Sequence, residues 1–298
     1  MPSLSVICSV ERSPAVSEHL VTDEVVERLE HTPDPRLREI MVSLVRHLHA
    51  FAVDVGLTES EWMTGIQFLT DVGHMTDEVR QEFILLSDTL GLSSLVVELT
   101  HATESLVTEA TILGPFYVDN PPVRELGDNM AEGDPGETLV VSGFVRSSDG
   151  MPLPRAQLDV WQTASNGLYD VQDEHQAAGS LRGRFFTDDD GRFRFRTVRP
   201  VSYPIPDDGP VGKLLASTGR HPWRAAHIHF IVSAAGHEPV ITHVFDSADP
   251  YLESDTVFGV RRSLIRTFES IGSQEEASAL GVELPALRLS YEFALRPH

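Results

Sequence analysis

At 298 residues the chain is long enough to bury a full core, in one large domain or two smaller ones. Its 45 acidic residues against 23 basic leave a net charge of −22, which opposes nucleic-acid binding, since that needs basic patches to displace counterions. A single cysteine, Cys8, excludes an internal disulfide framework and any cysteine-rich zinc site.

No apolar run reaches the length of a membrane span, and the N-terminus lacks a basic stretch followed by an apolar one. The expectation is a cytoplasmic protein. Residues 1–15, Cys8 among them, show no period and read as an arm. Residues 17–29 then carry a helical pattern, interrupted by Pro33 and Pro35. In a second helix Leu37, Ile40, Met41, Leu44, Val45, Leu48, Phe51 and Ala52 recur at three- and four-residue steps, and Gly56 closes it. His47 and His49 lie two apart on this helix, face apart, and read as solvent or partner-face residues rather than ligands.

Thr58 with Glu61 forms a capping box that opens a third helix through about residue 70. Thr76 and Asp77 start a fourth over 78–90, stopped by Gly91, and Ser93 or Ser94 begins a short fifth to about residue 99. Residues 1–105 are therefore helical throughout. Their apolar stripes must be buried on each other, on the following domain or on a second subunit.

Residues 119–137, rich in Pro, Gly and acidic groups, read as a long surface connection. From Thr138 onward the period is two. Strands are predicted over 139–145 and 157–163. A hairpin is predicted from 182–187 and 192–198 around the turn Asp188-Asp189-Asp190-Gly191, with further strands over 226–233, 240–245 and 287–295. Residues 255–271 read as a helix. Short strands between Gly/Asp turns argue for an antiparallel β-sandwich over residues 106–298. The whole is an α+β chain.

Chemistry concentrates in Arg224-Ala225-Ala226-His227-Ile228-His229-Phe230. Residues two apart on a strand share a face, so His227 and His229 present two imidazoles side by side. Neutral imidazole suits iron, copper and zinc. Alone, the H-x-H pattern is weak and more often describes core or surface histidines with hydrogen-bond partners. Two tyrosines change the odds, because Tyr169 and Tyr203 each sit just past a patterned strand. Phenol resists deprotonation at neutral pH, which makes it a poor ligand for zinc or ferrous iron, whereas a strongly Lewis-acidic trivalent ion stabilises the phenolate. Two tyrosinates with two imidazoles point to Fe(III). Both tyrosines also fit a plainer role as hydrogen-bonded residues at the sandwich rim.

The segments Gly114-Pro115-Phe116-Tyr117, Val141-Ser142-Gly143, Asp159-Val160-Trp161-Gln162, Asn166-Gly167-Leu168-Tyr169, Tyr203-Pro204-Ile205-Pro206 and His227-Ile228-His229 occur in that order. In these segments the chain resembles the intradiol ring-cleaving dioxygenases, the catechol 1,2-dioxygenase group. The resemblance implies a helical N-terminal dimerisation domain (1–105) followed by an antiparallel β-sandwich catalytic domain (106–298). It implies one Fe(III) per subunit on Tyr169, Tyr203, His227 and His229. Tyr203 would be the ligand that substrate releases and that then serves as base, and Arg224 would oppose charge developing on the substrate ring. The substrates implied are an aromatic diol or triol and O2. The partner implied is a second copy held through the N-terminal helices, with a phospholipid in an apolar tunnel between them. Two positions depart from the pattern: Ala225 replaces a proline, and His243 stands where many relatives carry glutamine. His243 is thereby left between a supporting role and that of a fifth ligand.

Leu85-Leu86-Ser87-Asp88, Thr108-Glu109-Ala110-Thr111 and His221-Pro222-Trp223-Arg224 look most like the hydroxyquinol-cleaving members, with catechol- and chlorocatechol-cleaving members as alternatives. A non-catalytic sandwich carrier is the reading of another class. The pocket implied is lined by Leu85, Asp88, Ile112, Gly114, Pro115, Phe116, Ile205, Pro206 and Arg224. Asp88 stands out, because it falls in the last turn of an apolar helix, where the helix dipole disfavours a carboxylate.

Overall fold

The computed structural model describes residues 21–77, 80–101 and 106–298, so Cys8 and the expected N-terminal arm lie outside the described residues. The chain forms two compact units, one ending at Leu69 and the other beginning at Thr70.

Helix α1 (Val21–Leu29) packs on α2 (Pro35–Asp54). Asp34 caps α2 by accepting the N–H groups of Arg36 at 2.8 Å and Leu37 at 3.3 Å, with Pro35 in the first turn. His49 Nδ1 lies 2.7 Å from Thr22 Oγ1, which ties α2 to α1. The predicted capping box opens α3 (Glu59–Met75). Thr58 N–H donates to Glu61 Oε2 at 2.9 Å, and Glu61 N–H donates to Thr58 Oγ1 at 3.3 Å. Helix α4 (Glu82–Thr89) starts later than its pattern suggests, and ahead of it Asp77 Oδ1 accepts the Arg80 N–H at 2.6 Å. Gly91, at φ 74°, ends α4 and turns the chain into α5 (Leu92–Thr100). No single helix among the described residues is long and apolar enough to cross a membrane.

The strands are β1 (Thr138–Ser147), β2 (Gln157–Trp161), β3 (Arg182–Phe186), β4 (Arg192–Val198), β5 (Tyr203–Pro204), β6 (Trp223–Arg224), β7 (His227–Ser233), β8 (Val240–Asp246), β9 (Ile265–Arg266), β10 (Glu269–Ser270) and β11 (Ala286–Leu295). They form a sandwich of two sheets, β10-β11-β1-β4 and β3-β2-β7-β8-β9, with β5-β6 as a separate small ribbon. Helix α6 (Pro210–Ser217) lies between β5 and β6 in the chain, and α7 (Gln274–Leu280) precedes β11.

Three expectations are corrected. The sheets are mixed: β1 pairs parallel with β11 and β8 pairs parallel with β9. Apolar alternation marks a strand without giving its direction, and β1 and β11 lie far enough apart in the chain for a parallel pairing. The segments around Asp188–Gly191 are not a hairpin, since β3 and β4 belong to different sheets. The turn between them is real, with Gly191 N–H donating to Asp188 O at 3.0 Å, but it crosses the sandwich. Phe185 of β3 then stacks on Phe195 of β4 across the core at 5.0 Å. Residues 255–271 are not a helix. They form turns, one 3-10 turn at Arg262–Leu264 and the short strands β9 and β10. Asp255 holds the turn by accepting the Gly259 N–H at 2.8 Å, while Val257, Leu264 and Phe268 are buried one by one.

The core is filled by Leu139, Val141, Val145, Leu158, Val160, Phe185, Phe195, Ile228, Phe230 and Phe293. Gly143 is required by space. A Cβ there would lie 1.6 Å from the carbonyl oxygen of Tyr291 on the paired strand β11. Strand β7 is buried on both faces: Ile228, Phe230 and Val232 enter the core, and the alternate residues His227 and His229 are covered from the other side.

Candidate metal centre

The outer face of the second sheet carries a row of three directly opposed residues. Trp161 on β2 pairs with His229 on β7, and His229 pairs with His243 on β8. Trp161 stacks flat on the His229 ring at 4.5 Å with 13° between planes. His227 and His229 ring centroids are 4.6 Å apart, as the shared face predicts. His227, His229 and His243 each offer one nitrogen, all within 4.8 Å of one another.

Both tyrosines reach this face. Tyr169 Oη lies 2.9 Å from His229 Nε2 and 3.0 Å from Tyr203 Oη, and His227 Nε2 lies 3.0 Å from His229 Nε2. Phe116 stacks on the Tyr169 ring at 4.5 Å, and Gly114, at φ 75°, passes close enough that a Cβ would sit 3.4 Å from His229 Cε1. Tyr203 stands at the end of this row of contacts, on β5, whose two residues pair with Trp223 and Arg224 on β6. Arg224 Nη1–H donates to Tyr203 Oη at 3.2 Å, and Asp255 lies on the other side of the guanidinium at 3.4 Å.

The donor chemistry fits a cation. His227 Nδ1 is 2.6 Å from Ala225 O, so it carries the ring proton and leaves Nε2 with a bare lone pair. That lone pair faces His229 Nε2, and Tyr169 Oη lies against the same nitrogen with Tyr203 Oη beside it, so nitrogen and oxygen donors converge. Neighbour spacings of 2.9 to 3.0 Å suit donors around one ion at metal–ligand distances of about 2.0–2.2 Å. Two donor groups are thus available, the three imidazoles and the two phenols with His227 and His229. In the second, His243 stands behind His229, with Nε2 2.8 Å from His229 Nδ1.

Burial dominates the electrostatics. It pushes His227, His229 and His243 well below the ordinary imidazole range, with Arg224 adding to the effect on all three, so each ring is neutral. Burial likewise pushes the Tyr169 phenol well up, reinforced by Tyr203 and opposed by Arg224 and Arg182. Arg224 is itself desolvated, which pulls its pKa down, but Tyr203, Asp255 and Tyr169 together outweigh this and keep it charged.

Beside these groups lies a small cavity. Leu85 and Asp88 enter from α4, Ile112, Gly114, Pro115 and Phe116 from the segment before the sandwich, and Ile205 and Pro206 from the residues after β5. Arg224 and Tyr203 complete the wall that faces the donor group. All nine residues expected from the sequence meet there. Val257, which also lines it, was missed because its segment reads as helix. Asp88 is buried, and burial raises its carboxyl pKa. Ser93 and Arg224 pull it back down, and Asp255 adds to the rise.

Known proteins match most of the chain. Residues 112–297 match the dioxygenase family model, and residues 34–108 match the model for the catechol dioxygenase N terminus. The chain belongs to the intradiol ring-cleavage dioxygenases. It is 51% identical over 248 residues, 83% of this chain and 90% of the other, to a 6-chlorohydroxyquinol 1,2-dioxygenase of Cupriavidus pinatubonensis. It is 46% identical to a hydroxyquinol 1,2-dioxygenase of Rhizobium sp., over 89% of this chain and 90% of that one. The crystal structure of hydroxyquinol 1,2-dioxygenase from Pseudomonas putida DLL-E4 superposes with a TM-score of 0.88 at 48% identity, covering 93% of this chain and 98% of that one.

The three neutral imidazoles make the fold sensitive to acid. Each has a folded pKa below its unfolded value of about 6.5, so its contribution is complete above that pH and is lost as pH falls below it. Each should cost about 1.4 kcal/mol per pH unit in that window. Urea unfolding of the metal-free chain between pH 8 and 5.5 should show stability flat at first and falling below about 6.5. A profile level down to pH 5.5 would contradict the neutral cluster.

Proposed function

We propose that the chain binds one Fe(III) per subunit through Tyr169, Tyr203, His227 and His229, and cleaves hydroxyquinol with O2. The ring opens between the two adjacent hydroxyl-bearing carbons and gives 3-hydroxy-cis,cis-muconate, the tautomer of maleylacetate. The observation that carries the substrate assignment is Asp88, a buried carboxylate on the cavity wall that also holds Arg224. The relatives named for hydroxyquinol and chlorohydroxyquinol support it.

When bound, Fe(III) would draw electron density from the substrate diolate and make a ring carbon reactive toward O2. The protein's residues do the rest. Tyr203, on the two-residue strand β5 and at the end of the donor group, would be the ligand that yields to substrate and accepts its proton. Arg224, already donating to Tyr203, would compensate the phenolate and then the charge on the ring. Leu85, Ile112, Pro115, Phe116, Ile205 and Pro206 exclude water, and Gly114 leaves room over His229. Asp88, when ionised, can only accept a hydrogen bond, and hydroxyquinol has a third hydroxyl to donate where catechol has none.

Replacing Asp88 by Ala should therefore lower kcat/KM on hydroxyquinol by about 10- to 100-fold, the worth of one hydrogen bond to a charged group, and change catechol far less. Product analysis and kinetics on both diols check this. A wild type that prefers catechol, or an unchanged ratio in the variant, contradicts the assignment.

The active form proposed is a cytoplasmic homodimer built on the N-terminal helices, with a phospholipid held in an apolar tunnel between them. Helix α2 leaves Leu37, Ile40, Leu44, Leu48 and Phe51 exposed in one stripe, and α3 exposes Trp62, Met63, Ile66 and Leu69. Sedimentation of the full chain at micromolar concentration should give a dimer, and organic extraction with mass spectrometry should release the lipid. A stable monomer, or a dimer with no extractable lipid, would remove the corresponding half of this reading.

A further inference from the structure

His243 is buried and placed directly across from His229, and no step of the proposed chemistry uses it. The distances allow two proton arrangements, because a ring nitrogen's role is fixed only by its partners. In the first, His243 Nε2–H donates to His229 Nδ1 at 2.8 Å, His229 Nε2–H donates to His227 Nε2 at 3.0 Å, and His227 Nδ1–H donates to Ala225 O at 2.6 Å. This chain is continuous, but it places a proton on the nitrogen that faces Tyr169. In the second, the His229 proton moves from Nε2 to Nδ1 and the His243 proton moves from Nε2 to Nδ1. His229 Nδ1–H then donates to His243 Nε2, and His229 Nε2 presents a lone pair to the donor group. Each ring keeps one proton throughout.

We infer that His243 is a positioning residue that sets the tautomer of His229, holding its Nε2 lone pair toward the metal only while His243 carries its own proton on Nδ1. This rests on His229 being a metal ligand. The structure shows where the cost falls: His243 Nδ1 is buried and has no hydrogen-bond partner among the described residues. His227, by contrast, is fixed outright by a backbone carbonyl. Of the two histidine ligands, His229 is therefore the one whose readiness to bind depends on a side chain that can itself hold the proton either way.

The test is the rate at which the iron-loaded full chain loses metal to a chelator, in wild type, His243→Gln and His243→Leu. Leucine offers no acceptor for His229 Nδ1–H, so loss should be about 10- to 100-fold faster, while glutamine, whose carbonyl accepts that proton, should stay within roughly 3-fold of wild type. A folded His243→Leu protein that holds iron as long as wild type overturns the inference. If that variant does not fold, ¹⁵N spectra of the wild-type chain loaded with gallium(III), a diamagnetic ion of the same charge, decide it. Protons on Nδ1 of both His229 and His243 are expected, and a proton on His243 Nε2 overturns it. Failure of the ligand set itself reads differently: the wild type would carry no iron, or His229→Ala would keep it.

Discussion

The register among β2, β7 and β8 is the constraint on which the site depends. It sets Trp161, His229 and His243 directly opposite one another on the outer face of the sheet, while Ile228, Phe230 and Val232 fill the core behind them. A slip of one residue along β7 would exchange the two sets, putting imidazoles into the core and apolar side chains at the centre. The apolar half of β7 thus fixes the position of its polar half. Every other site residue is brought to this row by a loop or a short element: Tyr169 after β2, Tyr203 on β5, Arg224 on β6 and Asp88 from α4.

Such a cluster is costly to bury. Three neutral imidazoles and two phenols converge where water does not reach them, and any buried polar atom left unpaired costs about 1–3 kcal/mol. The chain offsets part of this with buried ion pairs around the rim. Arg224 stands between Tyr203 and Asp255, and Arg182, whose guanidinium lies 6.0 Å from the Tyr169 ring, pairs with Asp170 at 2.6 Å. A protein with a net charge of −22 so places two guanidiniums beside its phenols, where a phenolate is stabilised. The converging imidazole and phenol donors suit a cation.

Much of this was legible in the sequence because it obeys local rules. The H-x-H pair declares its shared face by the two-residue period of a strand, the capping box at Thr58 names its own partners, and Gly91 stops a helix at the expected place. Asp88 is conspicuous because a carboxylate is out of keeping with an apolar helix end. What could not be read depends on which strand lies beside which. The turn at Asp188–Gly191 looks like a hairpin because the sequence specifies its four residues and not the sheets they join. The apolar spacing over 255–271 mimics a helix, although Asp255 and Gly259 tie the first turn into a loop that holds Arg224. His243 was visible only as an oddity, since its contact with His229 spans a register that no local pattern encodes.

The central claim is that Tyr169, Tyr203, His227 and His229 form one coordination sphere for Fe(III). Metal analysis of the purified full chain, combined with resonance Raman spectra excited in its visible band, tests this most directly. The account predicts one iron per chain with tyrosinate vibrations in the enhanced spectrum, diminished in Tyr203→Phe and absent in Tyr169→Phe with Tyr203→Phe. Zinc, no metal, or iron without tyrosinate vibrations in the wild type would contradict it.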